Sequence, residues 1–261
     1  MSKRNKLMSV IILAVLLVLV TPVLAVKYGT PDNEEHPYVG LVVFYDAAGA
    51  AQWRCTGTLI SPTILLTAAH CTELEQGAQV WFDEQVKLAN GYPYTGGVTG
   101  QADASPWWRG GLYIPNTGDV GVVVLDTPVI LSEYATIAPA QYLDSLATRR
   151  GQQNVQFEVV GYGLQAVKPF PSADRDRLKA TVQLVDLRSS LTDGYNIQTT
   201  NDPGLGTGSG GTCFGDSGGA IFAENHQIVA VNSFVLNANC AGASFGYRVD
   251  RQEVIDWVWS H

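Results

Sequence analysis

The 261-residue chain lacks several things at once. No two of its four cysteines stand in a C-x₂₋₄-C pair, which argues against a structural zinc site. Only four histidines are present, so any chemistry that needs an imidazole has few places to reside. Helical hydrophobic period is almost absent before the last eleven residues, which excludes a helical bundle and a βαβ sheet. Charged residues make up 15% of the chain, and 24 Asp+Glu outnumber 16 Lys+Arg. An acidic protein of this kind is a poor partner for nucleic acid or an anionic membrane. No internal repeat is evident.

The one long apolar run lies at the start. "MSKRNK" carries Lys3, Arg4 and Lys6, Leu7–Val20 is apolar, and "TPVLA" follows. A spanning helix needs about 20 apolar residues. Leu7–Val26 reaches that length only by including Thr21 and Pro22. The pattern is that of a secretory signal peptide over residues 1–25, cut after Ala25. Without those three cations, 16 less 3 leaves 13 Lys+Arg against 24 Asp+Glu, a net charge of −11. An exported protein with four cysteines, Cys55, Cys71, Cys213 and Cys240, is expected to form disulfides, and spacing leaves all three pairings open.

What the chain does have is short apolar runs between turn signals. Residues 38–45, 55–61, 63–69, 78–84, 119–126, 155–163, 178–187 and 244–249 read as strands, and 220–235 as two strands joined at Glu224–His226. Residues 90–118 are long, Gly-rich and aromatic and read as loops with one strand. The terminal "RQEVIDWVWSH" places Val254, Ile255 and Val258 on one helical face. Many short strands and one terminal helix predict an all-β sandwich or barrel.

"GGTCFGDSGGAIF" (210–222) surrounds Ser217 with glycines. Its G-x-S-x-G core also marks the α/β-hydrolase elbow, but the tail after Ser217 has no room for that fold's remaining units. A serine hydroxyl becomes a nucleophile only beside a base, and the base needs an orienting group. His36 sits beside Pro37 in an acidic turn, His226 in a hairpin loop and His261 at the terminus. His70 ends the apolar "TILLTAAHC" next to Cys71, where it would be rigidly held, as a general base must be. Asp119 opens "DVGVVVLD" at the mouth of an apolar strand and is the candidate orienting acid. Asp103 and Asp126 are the weaker choices.

"LLTAAHC", "DVGVVVL" and "GGTCFGDSGG", in that order, resemble the three signature blocks of the chymotrypsin-like (trypsin-like) serine proteases. "HPYVGLVVF", "CTGTLIS", "GYG" and the terminal helix extend the resemblance over nearly all of the mature chain. It implies two packed six-stranded antiparallel β-barrels with a C-terminal α-helix, one over 26–145 carrying His70 and Asp119, the other over 146–261 carrying Ser217. It implies a secreted, monomeric serine endopeptidase that acts on peptides or proteins through an acyl-enzyme, with no cofactor and no stable membrane association. Its oxyanion hole would be the N–H groups of Gly215 and Ser217, and its disulfides Cys55–Cys71 and Cys213–Cys240. The alternatives are a catalytically silent binding protein of the same fold and a secreted esterase with the same triad.

The chain departs from the family at its start. Members are commonly zymogens whose cut exposes an Ile-Val-Gly-Gly-like terminus that pairs with the Asp before the catalytic Ser. Here the stretch reads "AVKYGTP", so the expectation is that Val26 becomes the terminus and pairs with Asp216. The pocket-floor position is Gly211, which disfavours cleavage after Lys or Arg. Ser233, Phe234 and Val235 map to one pocket wall and Phe245 toward its base, which implies preference for a small or medium apolar residue. Ser233 would pair with substrate through its backbone. No metal site is legible.

Overall fold

The computed structural model describes residues 26–73, 77–146, 154–167, 170–172, 174–201 and 210–261. The leader expected over residues 1–25 lies outside them. The elements in chain order are β1 (Thr30–Pro31), β2 (Val39–Tyr45), β3 (Ala51–Leu59), β4 (Ile64–Thr67), α1 (Ala69–Thr72), β5 (Gly77–Trp81), β6 (Val98–Ala104) and β7 (Gly121–Leu125). Then come β8 (Thr136–Ile137), β9 (Gln156–Gly161), β10 (Leu178–Asp186), β11 (Asn196–Thr200), β12 (Ala220–Phe222), β13 (Gln227–Val235), β14 (Ala243–Arg248) and α2 (Gln252–Val258).

Two antiparallel barrels result. In the first, the order is β2-β3-β4-β7-β6-β5, closed by pairing of β2 with β5. In the second, β10-β11-β14-β13-β12-β9 closes through β9 on β10. The short β1 and β8 attach outside that ring, on β10 and β13. Closure removes the unpaired strand edges that an open sheet would expose. β10 alternates buried and half-buried residues at period two, one face to the barrel interior. All seven residues of β2 are buried, because it is walled on both faces.

One hydrophobic cluster runs from Leu41, Leu65 and Val123 of the first barrel to Tyr162, Phe222 and Tyr247 of the second, so the barrels share a core. A smaller cluster of Phe157, Val159, Ile197 and Val229 fills the second barrel. Tyr247 lies on β14, and Val254 and Val258 of α2 complete the seam.

A buried arginine stitches the seam. Arg177 donates to the carbonyls of Val39 and Phe82 at 3.2 and 2.9 Å, to Asp32 at 2.9 Å and to Glu34 at 2.7 Å. Both Arg177 and Asp32 are fully buried. Removing Arg177 leaves the buried Asp32 charge with His36 alone to offset it. Arg177→Leu is therefore expected to cost about 3–5 kcal/mol of stability, read as a lowered midpoint in chemical unfolding. A midpoint within error of wild type would contradict this account.

Three readings of the chain needed adjustment. β4 stops at Thr67, and His70 stands in the four-residue α1, not at a strand end. Its turn is held by tertiary contacts that no local pattern encodes: the Asp119 carboxylate accepts the His70 N–H at 2.8 Å. Asp119 precedes β7 by two residues. The strand β11, "NIQTT", is too polar and short to announce itself, and exists because β10 and β14 flank it.

Candidate active site

Asp119 is wholly buried and collects three donors. His70 N–H donates to Oδ1 and His70 Nδ1 to Oδ2, each at 2.8 Å, and the Ser233 hydroxyl also donates to Oδ2. The carboxylate thereby fixes the imidazole tautomer, leaving Nε2 free to accept a proton. Burial opposes charge on His70, but the Asp119 charge and hydrogen bond, with Glu73 further off, outweigh it and raise its pKa above the ordinary value. The His70 side chain remains 30% exposed.

The other candidates are elsewhere. Asp103 meets His261 at the surface at 3.1 Å, and Asp126 accepts from Thr99 at 2.5 Å. His226 pairs with the Tyr38 hydroxyl. His36 is buried between Asp32 at 2.5 Å and Glu158 at 3.2 Å, a structural ion cluster.

Ser217 is delivered by a loop that the first barrel holds. Thr56 of β3 donates its N–H to Ser217 O at 2.8 Å and its hydroxyl to Gly215 O at 2.9 Å. Thr67 of β4 braces the same residue, its hydroxyl donating to Thr56 O at 2.9 Å. On the far side Gly218 N–H donates to Asn232 O and Asn232 N–H to Gly219 O, both at 2.8 Å. Nothing in the motif itself announces Thr56 or Thr67; they are legible only once the barrels are docked.

Two glycines are geometric necessities. Gly215 adopts φ +99°, which L side chains rarely take. Gly218 has φ +78°, and a Cβ there would lie 2.1 Å from Thr67 Oγ1 and 2.6 Å from Thr56 O. The N–H groups of Asp216, Gly218 and Gly219 are committed to the carbonyls of Cys213, Asn232 and Asp216.

His70 and Ser217 border one cavity of about 360 Å³. Ser233, Phe234 and Val235 line it, as do Cys213 and four residues that the sequence did not single out, Leu112, Thr212, Phe214 and Asn232. Gly211 and Phe245 are not among the lining residues. Gly211 is buried, its N–H donating to Lys27 O at 3.0 Å, and Phe245 lies behind Phe234, rings stacked 4.6 Å apart. Leu112 reaches the cavity from the aromatic loop, whose Trp108 ring lies 6.5 Å from His70 and whose Trp107 packs on Trp257.

The cysteines are bonded Cys55–Cys71 and Cys213–Cys240. The first ties β3 to α1, and the second ties the loop before Ser217 to the turn after β13. The ligand-type atoms of Cys55, His70 and Cys71 cluster within 4.8 Å, but both sulfurs are in the disulfide and offer no thiolate. Among the described residues there is no other such cluster.

Asp216 is buried, its oxygens accepting from Gly163 N–H at 2.8 Å and Cys213 N–H at 2.9 Å. Burial pushes its pKa up to about 7, against the pull of those two donors and the Arg54 charge. Val26 is fully buried too, while the Lys27 ammonium turns away to the carbonyls of Asn239 and Cys240, both at 3.2 Å.

Two closed barrels with an Asp-oriented histidine and a glycine-framed serine at their junction define the class of chymotrypsin-fold serine proteases. A trypsin family profile matches residues 28–258, and the chain belongs to the trypsin family. It is 28% identical over 232 residues to a trypsin of Sarcophaga bullata, spanning 86% of this chain and 84% of that one. It is 27% identical to trypsin alpha of Drosophila melanogaster, spanning 79% and 77%. Among solved structures it resembles HL collagenase at a TM-score of 0.67 with 19% identity, covering 90% and 96% of the two chains. It also resembles a scabies mite inactivated protease paralogue at 0.63 with 16% identity, covering 88% and 95%.

Proposed function

We propose that the protein is a secreted, monomeric serine endopeptidase. The observation that carries this reading is the His70–Asp119 pair on the rim of the cavity that Ser217 also borders. Ser217 Oγ attacks the substrate carbonyl carbon and its proton passes to His70 Nε2. His70 then protonates the leaving amine as the C–N bond breaks, giving an acyl-enzyme that water hydrolyses by the same proton route. Asp119 holds the imidazole and stabilises its cation. The N–H groups of Gly215 and Ser217 take the developing oxyanion, a contribution of about 3 kcal/mol for one such donor.

The substrate lies as an added strand along Ser233–Val235. With no acidic side chain among the described lining residues, the pocket does not select Lys or Arg. Phe234 and Val235, backed by Phe245, fit a small or medium apolar side chain. The family membership and the two disulfides support an extracellular protein, and the domain pair is 26–145 and 146–261 after a leader of residues 1–25.

Val26 is the mature terminus, its ammonium the partner of Asp216. A buried carboxyl raised to about 7 by burial gains from a cation placed beside it, and the Lys27 side chain needs no apolar pocket because it reaches carbonyls. Reaction of purified protein with a fluorophosphonate tests the whole. The expected product is a single adduct on Ser217, in molecules whose N-terminal sequencing begins at Val26. Folded protein without an adduct would mean a zymogen awaiting another cut or a silent binding protein, and an adduct with turnover of esters but not peptides would mean an esterase. Labelled protein beginning elsewhere would reject the Val26 pairing alone.

A further inference from the structure

Arg54 carries a charge that the fold does not answer. It lies on β3, half-buried, between the exposed Trp53 and the disulfide-bonded Cys55. Arg177, Lys179, Arg248 and Arg251 each pair with a carboxylate. The Arg54 guanidinium forms no ion pair and no hydrogen bond with another described residue. Its charge is felt by Asp216, but that carboxylate is buried and already accepts from Gly163 N–H and Cys213 N–H. In a chain with 24 Asp+Glu against 16 Lys+Arg, a cation without an acid is the exception.

Its place is fixed by Thr56, two residues on and therefore on the same face of the strand. The Thr56 hydroxyl donates to Gly215 O at 2.9 Å, and a Cβ on Gly215 would stand 3.5 Å from Arg54 Nε. Arg54 thus lies against the residue whose N–H is the proposed oxyanion donor. Backbone directions alternate along an antiparallel strand. Thr56 turns its N–H away from β2, to Ser217 O. Arg54, opposite Val43 of β2, turns its own N–H and C=O the same way. β4 pairs with β3 only at Thr58 and Leu59, so no described strand covers that edge at Arg54. The cavity for the acyl half of the substrate lies on the other side of Gly215, along Phe214 and Ser233–Val235, and Arg54 is not among its lining residues. The edge at Arg54 is therefore left for the half of the substrate that departs with the amine.

We propose that Arg54 is a specificity-determining residue that selects a glutamate or aspartate within the first two positions after the scissile bond. The proposal rests on the serine protease reading and extends its substrate class to the leaving-group side. A carboxylate there meets a planar fork of donors that no other acid occupies, and charge-assisted bonds of this kind are about twice as strong as neutral ones. A lysine in the same place meets a like charge.

The test is acyl transfer by purified protein whose active sites are counted with a fluorophosphonate. One ester donor acylates Ser217, so the acyl half is the same throughout. Dipeptide amides with Glu, Gln or Lys at the first or second position, and Ala at the other, then compete with water. The amine attacks the acyl carbon, the bond to Ser217 Oγ breaks, and His70 passes the proton from the amine to Oγ. At one of the two positions Glu is expected to be taken at least about threefold over Gln, and by more over Lys, with the ratio narrowing as salt is raised. In Arg54→Gln the Glu-to-Gln ratio is expected to fall to about one, and in Arg54→Glu Lys is expected to outrun Glu. These ratios compare nucleophiles on one acyl-enzyme, so a merely structural loss cancels from them. Equal use of Glu, Gln and Lys by the wild type, or a Glu preference that survives in Arg54→Gln, overturns the proposal and leaves the protease reading intact. Wild-type protein that takes no label overturns both. Should the variants fail to fold, the wild-type ranking and its salt dependence decide.

Discussion

Ser217→Ala is expected to lower kcat on a peptide substrate by about 10⁵- to 10⁶-fold with no loss of thermal stability. The two halves of that expectation come from different atoms. The loop is held by backbone groups: Thr56 N–H on Ser217 O, Gly218 N–H on Asn232 O and Asn232 N–H on Gly219 O. Alanine keeps all of them and removes only Oγ. The lost rate is then the lost covalent step. The residue left over reports binding and the oxyanion donors, which alanine also preserves. His70→Ala is expected to cost about as much, and the double variant no more than either single one, because the pair acts as one unit. A double variant whose losses add on the logarithmic scale, or a single variant within tenfold of wild type, would show that these side chains do not act together.

The same distinction between local signals and docked contacts governs how much the chain disclosed in advance. Ser217, His70 and Asp119 are legible because each stands in a run whose composition is odd for its place: glycines around one serine, a histidine after an apolar run, an acid before one. The strands β2, β7, β9, β10 and β13 are legible because their alternation or unbroken apolarity is set by burial against a barrel. β11 is not, since Asn196–Thr200 owes its conformation to neighbours on both sides. Nor is α1, whose turn depends on a carboxylate 49 residues away. The side-chain work of Ser233 was hidden for the same reason. Its position suggests a backbone role toward substrate, while its hydroxyl is turned inward onto Asp119. The cavity walls were half legible. Phe234 and Val235 face it, but Phe245 acts from behind, Leu112 arrives from a loop that carries no motif, and Asn232 was passed over although Ser233 beside it was named.

Asp119→Asn probes what the triad geometry adds beyond the nucleophile, and its expected cost in kcat is about 10⁴-fold. The aspartate accepts from His70 N–H, from His70 Nδ1–H and from the Ser233 hydroxyl. An asparagine has one oxygen and one NH₂ group in the same space. With NH₂ toward His70 Nδ1 and Ser233, the imidazole must become an acceptor there, its proton moves to Nε2, and it can no longer take the Ser217 proton. With the oxygen on that side, NH₂ confronts the His70 N–H, two donors at hydrogen-bond distance in a buried site. Neither arrangement keeps all three bonds in their wild-type direction. The pH profile separates loss of tautomer from mere loosening. On the proposed mechanism neutral His70 is the base of the wild type, and its pKa stands above the ordinary value because Asp119 outweighs burial. Activity is therefore full above that raised pKa and is lost as pH falls through it. In the variant the carboxylate charge is gone while burial still disfavours the imidazolium, so the acid limb of kcat/KM is expected to move to lower pH. A lowered plateau with the acid limb unmoved would mean that Asp119 supports the site only mechanically. A plateau within tenfold of wild type would remove it from the mechanism.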